Sequence, residues 1–240
     1  MTQINKQFPF SFEPAKQYSR QDFIVFDCNR DALKAVELWP DWSFFALLIF
    51  GPHGCGKTHL AHIFADRVQG LLQKPVPISF IQAHDIKTSK VSYIHEHNPY
   101  LIVENVTAQV NEEALFHLFN VYQNEGGYIL FTSCYPFARI NFKLPDLKSR
   151  LNIVPRIPIS TPDDQMLAVL IVKLFSDRQI MISEDVLNYI VQNMERSFDY
   201  AVRLVERADN LSLSLKRAVT VPLVKVVMEE LAHNTQPDLF

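Results

Sequence analysis

No apolar run in this chain of 240 residues approaches the roughly 20 residues needed to span a bilayer. The first residues, MTQINKQFPFSF, lack the charged segment and apolar stretch of a secretory leader. A soluble, cytoplasmic protein without membrane contact is expected. Cysteine occurs three times, at Cys28, Cys55 and Cys134, with no paired spacing. That pattern argues against a disulfide framework and suits a reducing compartment. A basic excess is missing as well. The net charge is −3, so the chain lacks the electrostatic footprint of a direct DNA binder. It carries no internal repeat and no low-complexity segment. Glycine is used only six times, so the places where it is used matter.

Apolar residues are plentiful, at 48% against 20% charged, and can build a sizeable core. Residues 1–20 read as an extended arm, polar but interrupted by three phenylalanines. Over 21–159 short apolar runs alternate with longer amphipathic stretches. The runs are FALLIF (45–50), PISFIQA (77–83), YLIVEN (100–105), YILFTS (128–133) and NIVPRIPI (152–159). Segments 57–69 and 111–124 between them have helical spacing. Continuous apolar strands alternating with helices predict an α/β fold, a parallel sheet covered by helices on both faces. After Ser160 the strand signals stop. Four helix starts follow, at STPDD, at Ser183, at SFDYAV and at Thr220 before Pro222, predicting a helical subdomain over 160–233 and a tail over 234–240.

The sharpest motif is GPHGCGKT at 51–58, preceded by an apolar strand and followed by a helical stretch. It fits G-x-x-x-x-G-K-[ST], a phosphate-binding loop. Gly51, Pro52, His53, Gly54, Cys55 and Gly56 form such a loop, all but Pro52 offering a backbone N–H, and the helix N-terminus adds its positive end. Lys57 is placed to reach the β- and γ-phosphates and Thr58 to ligate Mg²⁺. Three of the six glycines lie in this loop. The bland alternative is a chance turn between strand and helix. YLIVEN then supplies the acidic strand of the site, with Glu104 organising Mg²⁺. Asn105 stands where a second acid would activate water, and an amide cannot accept that proton at neutral pH. An ordinary core strand ending in polar residues remains the competing reading. His53, His59 and His62 crowd the region, but no Cys or carboxylate cluster accompanies them, so solvated positions are expected rather than zinc ligands.

With these motifs in order, the chain resembles the AAA+ module of the DnaA initiator family over nearly its whole length. QDFIVFDCNRDAL (21–33) looks like the segment entering that family's adenine pocket, which implicates Phe23 and Val25. LFHLFN (115–120) resembles a helix of the family. FTSCYP (131–136) resembles the sensor 1 strand, with Ser133 and with Cys134 where the family usually has Asp. LPDLKSR (144–150) matches the box carrying an arginine finger, which falls on Arg150. MERSFDYAVRLVERA (194–208) resembles the lid segment whose sensor 2 arginine falls on Arg196. The resemblance implies ADP or ATP with Mg²⁺ as cofactors.

An initiator continues beyond its lid into a DNA-binding domain, whereas only about 18 residues follow Pro222 here. The expectation is therefore the Hda-type branch of the family, regulators that inactivate the DnaA initiator at the DNA polymerase III sliding clamp. That branch implies weak intrinsic ATPase, an arginine finger working in trans on DnaA-bound ATP, and contact with DNA only through the clamp. Self-association is left open. Gln7, Phe10 and Phe12 resemble the clamp-binding peptide of the branch, and Gln236, Leu239 and Phe240 form a second candidate. The competing reading is an arm that packs its phenylalanines on the base. The rival expectations are a replication accessory or helicase loader without clamp-dependent activity, and a self-sufficient P-loop ATPase.

Overall fold

The computed structural model describes residues 18–72 and 75–233. Five parallel strands form one sheet: β1 (Ala46–Phe50), β2 (Ile78–Gln82), β3 (Tyr100–Val106), β4 (Tyr128–Ser133) and β5 (Arg156–Pro158), in the order β2-β3-β4-β1-β5. The three central strands are almost wholly buried, as strands covered on both faces must be, which explains their unbroken apolar runs. Alternation splits their side chains between two cores. Leu48, Leu101, Val103, Ile129 and Phe131 face α3 (Val91–His97), α4 (Glu112–Glu125) and α5 (Pro145–Asn152). Leu47, Ile49, Ile102 and Leu130 face α1 (Arg30–Glu37) and α2 (Lys57–Leu72).

Four further helices, α6 (Asp164–Asp177), α7 (Glu184–Asn193), α8 (Phe198–Leu215) and α9 (Val221–His233), enclose a core of their own. Three of them start on a side-chain cap: Asp163 Oδ1 accepts from Met166 N, Ser183 Oγ from Val186 N and Ser197 Oγ from Tyr200 N. Such caps stabilise a helix by about 1 kcal/mol each. The first of these caps, Asp163 within STPDD, has an extended backbone and lies just before α6.

The expected strand over 152–159 is corrected. Helix α5 runs to Asn152 and only Arg156–Pro158 pairs with β1. Pro145 occupies the first turn of that helix, and Leu147 and Leu151 bury one face at i, i+4 spacing. Beyond it Ile153 is exposed while Val154 is buried, in a short turn that leads to the sheet edge.

Strand β3 carries a local irregularity that shapes the site. Val103 pairs with Phe131 but Val106 with Ser133, so β3 holds one extra residue. This is a β-bulge. It expels Asn105, whose φ is 57°, and returns Val106 to the same core as Leu101 and Val103. The N–H of Asn105, removed from the ladder, donates to Thr132 Oγ1 at 3.1 Å, as a displaced backbone donor must find a partner.

Candidate functional site

Three loops meet at the carboxyl ends of neighbouring strands: the glycine-rich loop after β1, the bulged end of β3 and the end of β4. Ligands of open parallel sheets bind at such an edge. The loop is drawn in tightly. A Cβ on Gly51 would lie 2.3 Å from the Ile159 carbonyl oxygen, and Gly54 and Gly56 have φ of +66° and +99°. Only glycine adopts these without cost. Pro52 and His53 are exposed, whereas Cys55 is buried, and burial pushes its thiol up despite the neighbouring Lys57 charge.

Lys57 opens α2 with only 7% of its surface exposed. Its ammonium donates to the carbonyl oxygens of Gly51 and Pro52 at 2.8 and 2.7 Å, so it is folded back over the loop that it would share with a phosphate. The next residue, Thr58, donates its hydroxyl to Glu104 Oε1 at 2.8 Å. A hydroxyl and a buried carboxylate in contact are hard oxygen donors that fit Mg²⁺. The cradle of Gly51, Gly54 and Gly56 fits phosphate oxygens. A nucleotide with Mg²⁺ would thus be held by Lys57, Thr58 and Glu104, the cation neutralising phosphate charge.

Asn105 turns away from this pair. Its Nδ2 donates to Gln82 Oε1 at 2.9 Å, while Gln82 Nε2 donates to Glu104 Oε2 at 3.3 Å. At the end of β4, Ser133 is fully buried and its hydroxyl donates to the Tyr135 carbonyl. Cys134 Sγ lies 3.3 Å from His53 Nε2, joining the end of β4 to the glycine-rich loop. Phe23 is buried among Cys55 and Leu60, beneath Gly56, while Val25 is 38% exposed.

The helical subdomain touches the loop through residues the sequence did not single out. Asp199 N donates to the Gly54 carbonyl at 3.2 Å, and Ser197 sits against the Gly54 Cα. Arg196, one residue away, pairs with Asp164 on α6 at 2.9 Å, and both are more than half exposed. Arg150 lies across the sheet from α2: its Nη1 donates to Gln123 Oε1 at 2.8 Å and its guanidinium covers the Phe116 ring at 5.3 Å. Gln7, Phe10, Phe12, Gln236, Leu239 and Phe240 lie outside the described residues.

A strand–GPHGCGKT–helix unit on a parallel sheet of this order, with a helical subdomain against its loop, defines a P-loop AAA+ module. The chain belongs to the bacterial DnaA ATPase domain family, whose model matches residues 15–154, and with the Hda lid domain matching 163–228 it is a DnaA-related AAA+ protein of the Hda type. It is 25% identical over 234 residues to an uncharacterized protein of Haemophilus influenzae, covering 94% of this chain and 99% of that one. It is 23% identical to the chromosomal replication initiator protein DnaA of Cutibacterium acnes, covering 90% of this chain but 46% of the initiator. The chain thus spans about half the length of the curated DnaA relatives it matches. Domain III of the Thermotoga maritima replication initiation protein DnaA shares the fold, with a TM-score of 0.76 at 19% identity over 90% of this chain and 97% of that one. So does AMPPCP-bound DnaA from Aquifex aeolicus, with a TM-score of 0.65 at 19% identity over 83% and 66% of the two chains.

Proposed function

We propose that this protein regulates the initiation of chromosomal replication by promoting hydrolysis of ATP held by a DnaA initiator. It binds ADP or ATP with Mg²⁺ through the loop at 51–58, Thr58 and Glu104, with Phe23 and Val25 toward the base and Arg196 in the lid. Arg150 acts as an arginine finger on the initiator's nucleotide. The protein is tethered to the DNA sliding clamp by Gln7, Phe10 and Phe12 or by Gln236, Leu239 and Phe240, and meets DNA only through that ring.

The observation that carries this reading is the commitment of Asn105. The position beside the Mg²⁺-organising acid holds an amide that cannot take a proton and whose N–H is already donated to Gln82. Intrinsic hydrolysis is therefore disfavoured while the phosphate cradle stays intact. Arg150 needs no base of its own. It is preorganised by Phe116 and Gln123, and a finger in this role is worth roughly 10³–10⁵ in rate, or about 4–7 kcal/mol of barrier. The test is to mix ATP-loaded DnaA with this protein and DNA-loaded clamp and follow the ratio of ADP to ATP. Clamp-dependent conversion supports the proposal; an unchanged ratio rejects it.

A further inference from the structure

Gln82 ends β2, the edge strand, and stands opposite Glu104 in the β2–β3 register. Nothing in its own strand marks it. Its amide nevertheless joins the two polar residues at the end of β3. Nε2 donates to Glu104 Oε2 and Oε1 accepts from Asn105 Nδ2. Because Glu104 Oε1 accepts from Thr58, each carboxylate oxygen has its own donor, one from α2 and one from β2. Glu104 is 8% exposed, and donors at both of its oxygens satisfy a carboxylate held away from water and fix its orientation.

The arrangement depends on the bulge. Asn105 reaches back toward β2 only because it has left the strand ladder at φ 57°. It then needs an acceptor at the edge strand, while Glu104 needs a donor there. A primary amide at position 82 meets both demands at once. A hydroxyl is too short to span the two groups, and a carboxylate would face Glu104 with like charge.

We infer that Gln82 is a positioning residue for the divalent cation of the nucleotide site. It orients Glu104 so that its carboxylate, beside Thr58, would be available to the metal, and through Asn105 it holds the bulge in register. This rests on the nucleotide reading above, and it predicts where that reading is sensitive. Removing the amide should loosen the coupling between metal and nucleotide, while the phosphate cradle of Gly51, Gly54 and Lys57 keeps its metal-independent affinity.

The experiment is calorimetric titration of ADP into the full chain, in excess Mg²⁺ and in EDTA, for the parent, Gln82→Ala and Gln82→Met. Methionine keeps the bulk of the side chain and removes the amide. Thermal unfolding without nucleotide reports on packing. The parent should bind more tightly in Mg²⁺ than in EDTA. Both variants should lose about tenfold of that difference, the lower end of what a hydrogen bond to a charged group contributes, with EDTA affinities matching the parent. A parental Mg²⁺ response in Gln82→Met overturns the inference, as does an equal loss in both buffers, which would assign the effect to packing. A parent that binds no ADP in either buffer rejects the nucleotide site itself and the inference with it.

Discussion

Gly54 and Ser197 occupy the same small space: a Cβ on Gly54 would fall 2.0 Å from Ser197 Oγ. The phosphate loop and the start of α8 are therefore in contact with no side chain between them, and Asp199 N adds a hydrogen bond to the Gly54 carbonyl. Gly54→Ala combines this collision with φ of +66° and should destabilise the protein by roughly 1–3 kcal/mol. Ser197→Gly removes the obstructing atoms and costs only a few tenths of a kcal/mol as a cap, so about 0.3. The double variant should lose less than the sum of the two. Additive losses in thermal unfolding would deny the contact.

Lys57→Ala should abolish detectable ADP binding in calorimetry. The ammonium is buried and held over the loop by the Gly51 and Pro52 carbonyls. Its loss removes about 3 kcal/mol from phosphate binding, or about two orders of magnitude in affinity. An affinity equal to the parent's would mean that the phosphates sit elsewhere.

Asn105 tests the division of labour between this site and the partner's. Asn105→Asp supplies a base beside Glu104 and breaks the donor contact to Gln82. Intrinsic ATP turnover should rise above the parent's, while stimulation of the initiator changes little. Strong loss of stimulation in this variant would tie Asn105 to the partner reaction. Asn105→Ala keeps φ at 57° without a local hydrogen bond and should cost about 1–2 kcal/mol of stability.

Much of this site could be read from the chain alone. The strand–loop–helix setting of GPHGCGKT, and the neighbouring acid of YLIVEN, are local patterns, and the burial of the central strands on both faces made them continuous apolar runs. Other parts depend on pairing in space. Gln82 matters because of its register with Glu104, and the bulge at Asn105 shows only against β4. Ser197 and Asp199 reach Gly54 through the docking of the lid, and the His53–Cys134 contact joins residues far apart in sequence. Helices α1 and α3 are eight and seven residues long, too short for periodicity to outweigh the polar residues around them.

The proposed clamp tether is tested with two variants of the full chain, Gln7→Ala with Phe10→Ala, and deletion of Leu239 and Phe240. A clamp peptide needs a Gln to anchor one end and apolar side chains to fill a pocket, presented in extended form. The first variant should lose most of the affinity for the clamp and the second less. If a chain carrying both changes binds the clamp as the parent does, the tether lies elsewhere and the replication-accessory reading gains.

Arg150 carries the central claim. It lies on the α5 side of the sheet, with its guanidinium over Phe116 and bonded to Gln123, a partly exposed arrangement that contributes little to stability. Arg150→Ala should therefore unfold at the parent's temperature and bind ADP as the parent does. The decisive measurement is single-turnover hydrolysis of ATP bound to DnaA, with DNA-loaded clamp, in the presence of the parent or of Arg150→Ala. The expected result is a fall in the stimulated rate by about 10³ or more with the variant, the lower range for loss of an arginine finger. A rate equal to the parent's would contradict the account.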